Sequence, residues 1–256
     1  MNALNNTILG MDLFEDEIRN SFLFHIPHSS IKVPKSSFIN NEYPDSEILK
    51  YTDWLTDKIF DVENIKRVTF DYSRVYCDVE RFYPDEKEYM HKFGRGFYYT
   101  KTDDNKLMRT LDDKDNVYEI YKNYHNGFNG VVQNILDEVG VVHIIDCHSF
   151  SNIPAPFDND DGSGRPDICI GTDDFHTPSY LIDLLYLHFK SNGFDVQINM
   201  PYSGSIVPNR FYCKNKSVKS IMVEINKRLY MDESSYSVLP QKVIELNRVI
   251  SNLFSL

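Results

Sequence analysis

Apolar positions along this chain come in short runs that change period, and polar stretches containing glycine and proline separate them. FLFHI at 22–26 is a continuous apolar run closed by Pro27, the pattern of a short buried strand. The next stretch, with Pro34 and several Ser and Asn, reads as a loop. From Ser46 to Val62 the apolar residues Ile48, Leu49, Leu55, Ile59 and Phe60 recur at helical spacing and predict one helix. Strands are expected at 65–70 and 74–79, followed over 80–112 by an irregular Tyr-, Phe- and Gly-rich loop with a hairpin. The spacing predicts a long helix over 114–139, ending before Gly140. VVHIIDC at 141–147 is apolar without alternation, as in a central strand covered on both faces.

Beyond it, 151–166 holds three prolines, two glycines and three aspartates, a long surface loop of the kind that often carries function. DICIG (167–171), FDVQIN (194–199) and SIMVEI (220–225) predict strands, and helices are expected at 179–192 and 236–254. A second irregular loop occupies 200–217. Strands alternating with helices predict an α/β protein with a mostly parallel or mixed sheet between helical layers. A length of 256 residues suits one large domain spanning 1–256.

Composition narrows the functional classes. Hydrophobic residues make up 41% and charged residues 25%, ordinary for a globular protein. A formal net charge of −11 argues against nucleic acid, whose binders need a positive footprint. An acidic chain that binds an anionic substrate must place Arg or Lys inside its site deliberately. Cys77, Cys147, Cys169 and Cys213 form no CxxC pair and read as small hydrophobes of a reducing compartment. The first residues, MNALNNTILGMDLFEDE, have no basic leader and no long apolar core, and no run approaches the ~18 residues of a membrane span. A cytoplasmic location without membrane or nucleic-acid partners is expected.

Four polar clusters fall at the predicted ends of strands and helices, where ligands bind in open α/β sheets. They are HIPHSS (25–30), TDWLTD (52–57), DCHS (146–149) and VEINKR (223–228). Each has a bland reading: a structural histidine after a strand, a solvated helix face for Asp53 and Asp57, a water-facing Glu224. Together they supply two histidines and a carboxylate, the ligand inventory of a catalytic zinc, with a separate carboxylate as general base. His28, presented after Pro27, is preferred over His25, which alternates with Phe24 and Ile26 inside the strand. Asp146 is read as a partner of the metal shell or a group pairing within the sheet, and His125 as a substrate-orienting or structural residue. Among the arginines, Arg74 reads as surface or ion-paired, while Arg81 and Arg210 are candidates for carboxylate recognition.

The order of these motifs resembles the N-formylglutamate amidohydrolase family. The matching segments are PHSS (27–30), TDWLTDKIF (52–60), SRVYCDVER (73–81), YH (124–125), DCHS (146–149), PDICIGT (166–172), NMPYSG (199–204) with Arg210, and VEINKRLYMDE (223–233). The resemblance implies a three-layer α/β/α sandwich of the zinc carboxypeptidase and aspartoacylase kind, a zinc-peptidase-like (phosphorylase/hydrolase-like) fold with a central mixed sheet. It implies zinc held by His28, His148 and a third ligand, with Glu224 and Arg81 as catalytic groups. Arg81, Arg210, Asn199, Tyr202 and His125 would contact a small anionic N-acyl amino acid, N-formylglutamate first. Two departures stand out. Ile31 occupies the position where the carboxypeptidase pattern has a zinc-binding Glu, so the third ligand is assigned to Asp53, with Asp57 second. Glu80 stands where the family pattern usually has Asn, putting a negative charge beside Arg81. A carboxypeptidase-like peptidase and a metal-free binding module are the alternatives.

Overall fold

The computed structural model describes residues 19–39, 45–156, 158 and 160–254. The leader reading of the first residues therefore lies outside the described residues. Six strands form one mixed sheet: β1 (Phe22–Ile26), β2 (Lys66–Thr69), β3 (Val142–Phe150), β4 (Ile168–Gly171), β5 (Val196–Ile198) and β6 (Val218–Asn226), in the order β2-β1-β3-β6-β4-β5. β1, β2, β3 and β6 run parallel, β4 runs antiparallel to β6, and β5 is parallel to β4. A small antiparallel pair, β7 (Met231–Asp232) with β8 (Ser237–Val238), stands apart.

Helices cover both faces. On one face Phe22, Phe24 and Ile26 of β1, Ile145 and Cys147 of β3, and Ile221, Val223 and Ile225 of β6 form the main core. Against them pack α2 (Thr56–Ile59), α4 (Ser179–Ser191) and α5 (Pro240–Asn252), through Ile59, Leu181, Leu185, Phe189, Leu246 and Ile250. On the other face Leu23, Val142, Ile144 and Val218 meet Phe128, Val132 and Ile135 of α3 (Lys114–Val139). This is the expected three-layer sandwich. Gly140 ends α3 with φ 83°, a left-handed conformation that costs glycine little.

Three predicted elements differ. The single helix over Ser46–Val62 is broken into α1 (Asp45–Tyr51) and α2, with Leu55 left-handed at φ 68°. The break is a docking event: the Asp53 amide donates to the His28 carbonyl at 2.9 Å, and Thr52 Oγ1 donates back to the Ile48 carbonyl at 2.8 Å. The strand expected over 74–79 is a turn, because the amides of Tyr76 and Cys77 both return to the Ser73 carbonyl, at 2.9 and 3.1 Å. The last helix begins at Pro240 rather than near 236, since β8 occupies the preceding residues and Pro suits a first helical position. Among the described residues, no helix is long and apolar enough to cross a membrane.

Candidate active site

Sheet register assembles the site. On the α3 face His25 of β1 pairs with Asp146 of β3, and His148 of β3 pairs with Glu224 of β6. Side chains two apart on a strand share a face, so these four groups form a polar band among apolar neighbours. The band lies toward the carboxyl ends of the parallel strands, and His28 joins it from just beyond β1. The break between α1 and α2 brings in Asp53, and the turn after Ser73 brings in Asp78 and Glu80.

Short distances connect them. His148 Nδ1 lies 2.9 Å from Asp53 Oδ2, and its Nε2 lies 3.0 Å from Asp146 Oδ1 and 3.2 Å from the Glu80 carboxylate. His28 Nε2 donates to Asp78 Oδ1 at 2.9 Å. That bond leaves His28 Nδ1 buried without a hydrogen-bond partner, 3.6 Å from both Asp53 Oδ2 and Glu80 Oε2. Ligand atoms around a tetrahedral zinc with bonds of ~2.0–2.1 Å stand ~3.3 Å apart. An orphaned imidazole nitrogen aimed between two carboxylate oxygens at nearly that spacing fits a divalent cation. One atom each from His28, Glu80 and His148 lies within 4.8 Å of the others, and the same holds for His25, Glu80 and Asp146.

Asp78 anchors the rim. It is fully buried and takes two hydrogen bonds from Arg74, at 3.0 and 2.8 Å, and one from Tyr99 Oη at 2.9 Å. Burial opposes its ionisation, but Arg74, then His28 and Arg81, outweigh that and hold its carboxyl well below the usual range. Burial likewise works against charge on Asp53 and Asp146. Hydrogen bonds and charge from His148, with His28 at Asp53 and His25 at Asp146, keep both carboxyls low. Glu224 behaves oppositely. Its Oε2 is buried without a hydrogen-bond partner, and burial, aided by the charges of Asp53 and Glu80, pushes its pKa up to about 8 against the pull of His148.

His28, Asp53, Glu80, Asp146, His148 and Glu224 line one wall of a cleft of about 940 Å³, which Arg74, Arg81, Lys227, His125 and Tyr202 also line. Arg81 is half-buried and loosely held, with Nε 3.4 Å from Asp78 Oδ2 and Nη1 4.0 Å from Glu88. His125 packs against Tyr121, ring centroids 4.3 Å apart, and burial lowers its pKa to about 4, so it is neutral. Tyr202 Oη donates to Asp158 Oδ2 at 3.0 Å. Buried Lys227, three residues beyond Glu224, is another cation of the cleft wall, and burial lowers its pKa despite the attraction of Asp53 and Glu233.

The structure brings His28, Asp53, His148, Glu224 and Arg81 together. It leaves others apart. Asp57 lies outside the cleft, with Lys58 at 3.2 Å. Arg210 is exposed over Phe211 and does not line the cleft. Asn199 is exposed, and its amide clamps the Thr172 amide and hydroxyl at 2.9 and 2.8 Å, shaping the loop after β4. Sequence reasoning missed Asp78, Lys227 and the central place of Glu80. The signal for Glu80 was its departure from the family pattern, which was read only as a perturbation of Arg81. Arg74, read as a surface or ion-paired residue, is the half-buried ion-pair partner of Asp78.

A mixed sheet with a buried histidine–carboxylate cluster at the carboxyl ends of its parallel strands defines an α/β protein with a candidate metal centre. The chain belongs to the N-formylglutamate amidohydrolase family, whose model matches residues 20–231. That membership makes it an amidohydrolase. Among solved structures it is similar to N-formylglutamate amidohydrolase from Ralstonia eutropha JMP134, with a TM-score of 0.77 and 18% identity over 91% of each chain. It is also similar to a gene product of Agrobacterium tumefaciens, with a TM-score of 0.61 and 18% identity over 94% of this chain and 92% of that one. At such identities the likeness shows the fold. No curated protein matches it.

Proposed function

We propose that this chain, acting as one domain, is a metal-dependent hydrolase that cleaves the amide bond of a small N-acyl amino acid, N-formylglutamate first. The observation that carries the reading is the unpartnered Nδ1 of His28. It lies 3.6 Å from Asp53 and Glu80 in the same cleft as the unpartnered carboxyl oxygen of Glu224. His28, Asp53 and His148 would hold the ion, with Glu80 beside them. A divalent ion bound there, zinc in the first instance, supplies Lewis acidity that polarises the scissile carbonyl and acidifies the attacking water toward a pKa of ~7.

The protein's own groups do the rest. Glu224 takes a proton from the water as its oxygen adds to the acyl carbon, then delivers it to the amide nitrogen as the C–N bond breaks. The products are formate and the free amino acid. A carboxyl raised by burial suits both halves of that task. Arg81, only loosely held, is free to turn its guanidinium to the substrate α-carboxylate or the developing oxyanion. Lys227 faces the cleft from the turn just beyond β6 and is placed to meet a second carboxylate, the role the motif comparison assigns to Arg210. Tyr202 and neutral His125 line the space that the acyl amino acid would fill. Asp78 and Asp146 orient the imidazoles they bond, as carboxylate partners of metal-binding histidines do. Three cysteines buried as free thiols suit a cytoplasmic location.

The test is formate release by purified, zinc-loaded protein from N-formylglutamate, other N-formyl amino acids and short peptides. Turnover highest on N-formylglutamate supports the reading. Cleavage of C-terminal peptide bonds alone would overturn it in favour of a peptidase.

A further inference from the structure

Behind the part of the cleft wall formed by Glu80 and Asp146, His25 completes a second set of metal-binding atoms beside the first. His25 Nδ1 lies 2.8 Å from Asp146 Oδ1 and 3.5 Å from Glu80 Oε1. The other oxygen of that carboxylate, Glu80 Oε2, lies 3.6 Å from His28 Nδ1. Both oxygens of Glu80 lie 3.2 Å from His148 Nε2, and beyond that shared contact each addresses a different imidazole, Oε1 that of His25 and Oε2 that of His28. We propose that the chain holds a pair of divalent ions, the second bound by His25, Asp146 and Glu80, with the Glu80 carboxylate bridging the two. The proposal rests on reading His28, Asp53 and His148 as a metal centre.

Three observations support it. The first is charge. Asp53, Glu80 and Asp146 gather around His25, His28 and His148, whereas the neighbouring Asp78 is offset by Arg74. With neutral imidazoles, one divalent ion leaves these three carboxylates with a net negative charge at the base of a cleft that must admit an anion. A second ion reverses the sign, and the substrate's oxygens then supply the balance. The second is the outer side of His25. Its Nε2 is 2.8 Å from Tyr124 Oη, and its ring stacks on Phe128 with centroids 4.6 Å apart and planes 13° from parallel. With the Tyr124 oxygen accepting from Nε2–H, the Nδ1 lone pair faces the two carboxylates. A partner on the far nitrogen is how proteins fix the tautomer of a metal-binding histidine.

The third is Glu80 itself. A hydrogen-bonded His25–Asp146 pair propping His148 would account for Asp146, and the 3.2 Å contact with His148 Nε2 would hold Glu80 inward, but neither accounts for the reach of its two oxygens to His25 on one hand and His28 on the other. A bridging carboxylate does, and carboxylate-bridged pairs stand ~3.5–4 Å apart. One imidazole and two carboxylates suit zinc, cobalt or manganese rather than a soft ion.

The experiment uses the full chain, stripped with chelator, reloaded with Co(II) and freed of excess by gel filtration. Metal is counted by mass spectrometry, and spin coupling between neighbouring Co(II) ions is read by electron paramagnetic resonance. Two ions per chain with a coupled signal are expected, falling to one uncoupled ion in E80N. The same loss is expected in H25N. E80N carries the test, because Glu80 sits in an irregular, half-buried segment that tolerates a shorter side chain better than β1 does. One ion in the unmodified protein, unchanged by E80N, overturns the second site and leaves the single-metal reading standing. No stoichiometric metal in any of the proteins overturns both.

Discussion

Along β3, neighbouring residues serve opposite purposes on the two faces of the sheet. Ile145 and Cys147 point into the core beneath α4 and α5, within its main cluster of apolar side chains. Asp146 and His148, each one residue away, point to the α3 face and are held by His25, Asp53 and Glu80. The α3 face is apolar only toward the start of the strand, at Val142 and Ile144. The same backbone thus supports a packing layer on one side and a chemical layer at the far end of the other. Damage to the first should cost folding, and damage to the second should cost function.

The sharpest break of that comparison is Glu224→Gln. It removes the proton acceptor and preserves shape, so kcat should fall by ~10²–10⁴ while zinc content stays unchanged. Near-normal turnover in the purified variant would remove Glu224 from the mechanism. On the opposite face, Phe189→Ala empties a site only 1% exposed and should cost ~3–5 kcal/mol of stability. In urea unfolding the midpoint should drop, while kcat per folded molecule stays within about twofold. A loss of kcat at full stability would show that the two faces are not separable.

Glu224 also couples function to stability through pH. Its folded pKa of about 8 stands above the ordinary 4.5. Below pH ~4.5 the carboxyl is protonated in both states. Between ~4.5 and 8 the unfolded chain releases the proton and the folded chain keeps it, so stability falls as pH rises. Glu224→Gln removes this dependence. In chelator-treated protein the variant should gain ~2–4 kcal/mol on the parent between pH 5 and pH 8. Parallel stability curves across that range would show that the carboxyl is not raised in the folded protein.

Much of this was legible in the chain. The apolar runs of β1, β3 and β6 located the strands, and the interruptions by His148 and Glu224 marked where chemistry replaces packing. What was hidden depends on contacts between distant segments. Periodicity over 46–62 carries a helix through Asp53, and only the bond from the Asp53 amide to the His28 carbonyl breaks it and aims that carboxylate inward. A strand is expected over 74–79, but Ser73 closes a turn there and the Asp78 amide bonds the Phe97 carbonyl at 2.8 Å. The band formed by His25, Asp146, His148 and Glu224 needs strand register, which no local pattern encodes.

A smaller effect tests how far the chemical layer extends. Asp146 touches both His148 and His25, so Asp146→Asn should weaken zinc binding by ~10–100-fold in competition with a chelator dye, with the fold retained. The smallest contrast concerns the substrate's second carboxylate. Lys227 is buried on the cleft wall, so Lys227→Met should raise KM for N-formylglutamate by roughly tenfold, about the 1.4 kcal/mol expected for one partly screened charge pair. Arg210 stands exposed outside that wall, and Arg210→Ala should change KM by less than about twofold. The reverse ranking would mean that the loop over 200–217 folds inward when substrate binds. The motif comparison would then identify the carboxylate-binding residue better than the open cleft does.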